Sequence, residues 1–104
     1  MSNKIQINCN TNRFFKHMIN QNWRALKERH DDLNELKKNL ELLQIRLNQL
    51  IYDLYFIVTT PLMKELEQTK ININLVEKDI EIIKEIIKSK LEEIRYYSKK
   101  LIIC

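Results

Sequence analysis

Apolar residues recur at alternating steps of three and four through Leu33, Leu36, Leu40, Leu43, Leu47, Leu50, Leu54 and Ile57. Such spacing keeps one stripe on one side of an α-helix, and a period of about 3.5 residues is that of a coiled-coil seam facing a neighbouring helix. A second seam follows, with Leu66, Ile73, Ile80, Ile87, Ile94 and Leu101 at one position. Leu62, Thr69, Val76, Ile83, Lys90 and Tyr97 hold its other position. Extended backwards, the first seam takes in Leu26 and Ile19 but also Arg29 and Asn22, so it loosens towards the N-terminus.

This pattern predicts an all-α protein with two long amphipathic helices, residues 12–58 and 61–102, preceded by a flexible arm over residues 1–11. Between the helices stands Val58-Thr59-Thr60-Pro61. Thr60 is placed to cap a second helix opening with Pro61, since a hydroxyl accepts from early amides and proline lacks an amide that would be orphaned there anyway. The connection predicts an antiparallel helical hairpin, with a Pro-kinked coiled-coil rod as the alternative. Each arm would be roughly 60–70 Å long at 1.5 Å per residue. Further apolar residues, Leu42, Ile45, Ile51 and Phe56 in the first helix and Leu75, Ile82, Ile86 and Leu91 in the second, widen the stripe. A single partner helix covers only a narrow seam, so the width predicts a bundle of three or four helices completed by partners.

Composition narrows the function. The 104 residues include no glycine and one proline, which excludes the Gly-rich phosphate loops and nucleophile elbows of common enzyme classes. A chain this short divided between two helices leaves little interior for a closed pocket. Charged residues are 31% of the chain, as expected for helices with one wet face. The net charge of +4 is an N-terminal feature: residues 1–27 carry Lys4, Arg13, Lys16, Arg24 and Lys27, and every acid lies from Glu28 onwards. Cys9 and Cys104 are far apart without a CxxC or a nearby histidine, so zinc is not expected and free thiols in a reducing compartment are. With no run near the ~18 apolar residues of a membrane span and no signal-peptide core, an intracellular, cytoplasmic protein is expected.

Two groups invite a chemical reading. Glu28, His30, Asp31 and Asp32 resemble an acid–base cluster, but consecutive helical side chains point in different directions, so a solvated face is expected and no catalytic, cofactor or metal residue is assigned. The N-terminal segment is more informative. Phe14, Phe15, Met18, Ile19, Trp23 and Leu26 fill one half of its helical wheel, and Arg13, Lys16, Arg24 and Lys27 the other. Aromatic rings opposite cations suit a membrane surface or an acidic partner; the simpler expectation is that the rings start the bundle core. Five cations without a reading element argue against nucleic acid.

The run Ile94, Arg95, Tyr96, Tyr97, Ser98, Lys99, Lys100, Leu101 resembles the closing helix of subunit two of the complex required for biogenesis of lysosome-related organelles. Tyr97 to Leu101 fit that pattern, whereas Arg95 stands where the family prefers an acid. The two-helix layout is also similar to that of snapin-type subunits. The resemblance implies a non-catalytic subunit of an elongated hetero-oligomer in organelle or vesicle traffic, with no active site to transfer.

The expected function is therefore a coiled-coil interaction subunit. Its partner-binding seam would be Leu33, Leu36, Leu40, Leu43, Leu47, Leu50, Leu54 and Ile57 with Leu66, Ile73, Val76, Ile80, Ile83, Ile87, Ile94 and Leu101. A second patch for a membrane or acidic partner would be Arg13, Phe15, Lys16, Ile19, Trp23, Arg24 and Lys27. Other helical proteins are the expected partners, in a hetero-oligomer ahead of a homo-oligomer. The alternatives are a peripheral membrane binder and a nucleic-acid-associated or chaperone-like helical factor; a prefoldin-like holdase is disfavoured because too few residues join the helices to form that family's β-hairpins.

Overall fold

The computed structural model describes the backbone of residues 2–101 and the side chains of residues 12–101. The expected free thiols of Cys9 and Cys104 lie outside the described side chains. Among the described residues there are two helices, α1 over Ser2–Phe56 and α2 over Thr60–Lys100, packed against each other as an antiparallel hairpin. The pattern predicts an arm over residues 1–11; the backbone is instead helical from Ser2. No glycine or proline interrupts that stretch, and Ile5 lies one heptad before Asn12 in the seam's own phase, so nothing local ends the helix there.

The chain divides into two compact units, Asp32–Lys84 and Met1–Asp31 with Glu85–Cys104. Asp32–Lys84 contains the turn. Its α1 ladder runs on to Ile57, whose amide donates to the Asp53 carbonyl at 3.0 Å. The α2 ladder starts when the Met63 amide donates to the Thr59 carbonyl at 3.1 Å. The Leu62 amide donates to the Thr59 hydroxyl oxygen at 3.4 Å, which makes Thr59 the capping residue in place of the expected Thr60. Thr60 is already helical, and Pro61 sits one place deeper, still within the first turn where a missing amide costs nothing. No described residue has a positive φ, so this glycine-free connection is made without left-handed backbone. A Pro-kinked rod does not form, because the chain reverses at residues 57–59 before Pro61 enters α2.

Each unit has its own buried seam. In Asp32–Lys84 the core is Leu33, Leu50, Ile73 and Ile80 with Thr69, and Leu50 is wholly enclosed. In the other unit Leu26, Ile87 and Ile94 are buried together with Asn12 and Asn22. These residues occupy the three-four positions read from the sequence, so the helices meet along the predicted stripes. Two pairs establish the antiparallel register: Phe15 lies beside Tyr97, with ring centroids 5.9 Å apart, and Arg46 Nη2 meets Glu65 Oε1 at 2.6 Å.

Leu50→Ala truncates a wholly enclosed side chain, and is expected to lower stability by about 2–5 kcal/mol. Thr59→Ala removes only a cap and is expected to cost about 1 kcal/mol. Urea unfolding followed by circular dichroism checks both, and a Thr59→Ala loss as large as that of Leu50→Ala would show that the turn carries more than a cap.

Candidate interaction surface

The chain's own second helix occupies much of the stripe expected to receive a partner. Besides the buried residues, Leu36, Leu40, Leu43, Leu47, Leu54, Leu66, Val76 and Ile83 are half-buried at the pairing of α1 with α2. Only Ile57, at the turn, and Leu101, just beyond the end of α2, stand exposed among the expected seam residues. The surface open to another protein therefore has to be sought outside the seam.

Such a surface exists on the far side of the helices in Asp32–Lys84. Leu42, Ile45, Tyr52 and Phe56 on α1 are each more than half exposed, as are Ile71, Leu75 and Ile82 on α2. Leu42 stands two residues after the seam residue Leu40, and Leu75 two after Ile73. Two residues turn a helix by about 200° at 3.6 residues per turn, so these side chains point away from the seam and do not widen it. Leu42, Ile45, Gln49, Tyr52 and Phe56 keep a three-four rhythm of their own, a signal present in the sequence but masked by the stronger leucine repeat. Tyr52 and Phe56 meet edge to face at 5.0 Å, and Phe56 and Tyr55 at 5.3 Å. Around the turn, Ile51, Ile57, Val58 and Met63 are exposed as well, and Tyr55 is 85% exposed.

Electrostatics sharpen the contrast. Between Arg46 and Lys64 the only charged residue is Asp53. Arg46 is held through Nε and Nη2 by Glu65 Oε1, at 2.9 and 2.6 Å, and its Nη1 donates to Gln49 Oε1 at 3.3 Å. Beyond Lys64, α2 carries spaced pairs on its wet face, Glu67–Lys70 at 3.7 Å and Glu81–Lys84 at 3.5 Å. An open groove lined by Asn39, Leu42, Leu43, Asn72 and Val76 lies along the same unit. The apolar end of the hairpin thus has almost no charge to keep it solvated, which is the usual mark of an interaction site when the exposed patch is large.

The N-terminal patch is divided by the fold. Phe15 and Ile19 are half-buried and Leu26 is buried, with Phe15 against Tyr97. Phe14 and Trp23 remain about half exposed, and Arg13, Lys16, Arg24 and Lys27 are exposed. In the run resembling the organelle-biogenesis subunit, Ile94 is buried, Tyr97 packs on Phe14 and Phe15, and Lys100 Nζ lies 5.4 Å from the Tyr96 ring centre. Glu28, His30 and Asp31 are exposed. Among the described residues no His, Cys, Asp or Glu group is placed to hold a metal, and no helix is long and apolar enough to cross a membrane. The Asn22 amide nitrogen is buried without a hydrogen-bond partner.

No protein-family model matches the chain, and no curated protein and no solved structure matches it.

The Arg46–Glu65 pair is over two-fifths exposed on both sides, so water screens it. A double-mutant cycle with Arg46→Ala and Glu65→Ala is expected to give a coupling of about 0.2–1 kcal/mol that shrinks as salt is raised. A larger, salt-independent coupling would mean the pair is desolvated in solution, as it would be beneath a bound partner.

Proposed function

We propose that this protein is a non-catalytic helical interaction subunit that docks on other helical proteins through the apolar side chains its own hairpin leaves uncovered. The observation that carries this reading is the exposed row Leu42, Ile45, Tyr52 and Phe56, which lies opposite a seam already filled within the chain. At their observed exposures, Tyr52, Tyr55 and Phe56 alone present roughly 400 Å² to water. The largest apolar patch on a typical monomer is about 300–600 Å², so the three rings by themselves approach that size.

Burying those rings would yield about 10 kcal/mol gross at ~25 cal/mol per Å². Association costs on the order of 4–15 kcal/mol, so the rings alone give little net affinity, and a stable complex must also cover Leu42, Ile45 and the apolar residues of the turn. The resemblance of residues 94–101 to the organelle-biogenesis subunit supports organelle or vesicle traffic as the setting. Native affinity purification is expected to recover a helical protein in stoichiometric amount with the wild-type chain and to lose it with Ile45→Glu and Tyr52→Lys combined. Recovery unchanged by those substitutions would place the docking surface elsewhere.

A second reading is a peripheral membrane binder. It is supported by Phe14 and Trp23, still outside the hairpin seam, together with the exposed Arg13, Lys16, Arg24 and Lys27. Co-sedimentation with anionic liposomes is expected under this reading and should drop when Phe14→Ala and Trp23→Ala are combined. Phe15, packed on Tyr97, is not the residue to test.

A further inference from the structure

We propose that the outer row of α1 is a self-docking surface, on which a second copy of the chain lies antiparallel with the two-fold axis at Gln49. This rests on the interaction reading above and names its partner.

The pairing rule comes from the hairpin itself. In antiparallel helices, residues meet in pairs centred on one point to within a residue, and matching flanking positions face each other, as Arg46 and Glu65 do across α1 and α2. Applied to the outer row, the rule sets Leu42 against Phe56 of the second copy, Ile45 against Tyr52, and Gln49 against its own copy. Each apolar pair joins an aliphatic side chain to an aromatic one, so large residues meet smaller ones along the contact. A central glutamine pair penalises slipped registers, because a shift would place an amide against a ring.

The flanks agree with the same axis. Arg46 falls opposite Asp53 of the second copy, and by symmetry this pair forms twice. Asp53 has no ion pair among the described residues, and a guanidinium has five donors, so Arg46 can keep Glu65 and still reach it. On the other flank Tyr55, the most exposed of the aromatic residues, falls opposite Glu41, whose carboxylate can accept from the phenol. No like charges meet. The row with Tyr55 exposes on the order of 600 Å² per chain, about 1,200 Å² for the pair, which reaches the lower end of specific interfaces.

Sedimentation velocity and equilibrium on the full chain test the proposal. The wild-type protein is expected to dimerise, and Ile45→Glu to weaken the dimer by about tenfold or more while helicity by circular dichroism is unchanged, since Ile45 is over half exposed. In a Glu65→Gln background, which keeps a carboxylate at position 46 from facing Glu65 in its own chain, Arg46→Glu and Asp53→Arg are each expected to weaken it, and the double swap R46E/D53R to restore it, because the exchanged charges face each other only in the antiparallel arrangement. A wild-type monomer at all concentrations, a dimer indifferent to Ile45→Glu, or a double swap no better than the singles would each overturn the proposal. The interaction reading is judged separately: it survives a monomeric result if Ile45→Glu and Tyr52→Lys still remove a stoichiometric partner of a different sequence, and falls with it if no such partner exists.

Discussion

Pairing of the α1 seam with the α2 seam is the interaction on which the rest of the structure depends. Neither helix could stay folded alone with such an apolar stripe in water, since most helical stability in proteins comes from packing one face. By pairing with each other the helices bury Leu33, Leu50, Ile73 and Ile80 in one unit and Leu26, Ile87 and Ile94 in the other. Because that need is met inside the chain, whatever apolar surface remains has no structural use within a single molecule.

The two units differ in how apolar their seams are. Asp32–Lys84 has leucine, isoleucine or valine at every seam position but Thr69, and carries the exposed outer rows. The unit with both helix ends has Asn12, Asn22, Arg29 and Lys90 at seam positions, and the Asn22 amide has no partner for its nitrogen. A buried amide without a partner costs stability that a leucine would not, and such residues are best known for fixing register in paired helices. The unit containing the turn is therefore the one with the more apolar seam, and it also carries the outer rows of exposed aliphatic and aromatic residues.

That combination suits a protein that acts by contact. A well-packed seam holds the outer row at fixed helical spacing, so Leu42, Ile45, Tyr52 and Phe56 are preorganised and little ordering remains when they are covered. Aromatic residues with a single nearby arginine are also the types that concentrate binding energy at interface centres. The capped, glycine-free turn contributes by keeping the end of α1 helical up to Phe56, where the row terminates.

By itself the sequence determined that the chain is helical and where its two seams run, because backbone propensity and a 3.5-residue period act locally; it left an antiparallel hairpin and a Pro-kinked rod both open at Pro61, since a proline in a first turn and a proline in a kink are locally alike. It did not specify whether Thr59 or Thr60 would cap α2, since either hydroxyl is chemically suited and only the position of the first helical hydrogen bond separates them. Nor could periodicity say what would fill each stripe: burial of apolar surface is non-directional, and a leucine seam is equally satisfied by a neighbour in the same chain or in another. Only the tertiary structure decided that α2 fills the seam of α1, and so that Leu42, Ile45 and Phe56, which look like the margin of one broad stripe, form with Tyr52 a second face left open to water.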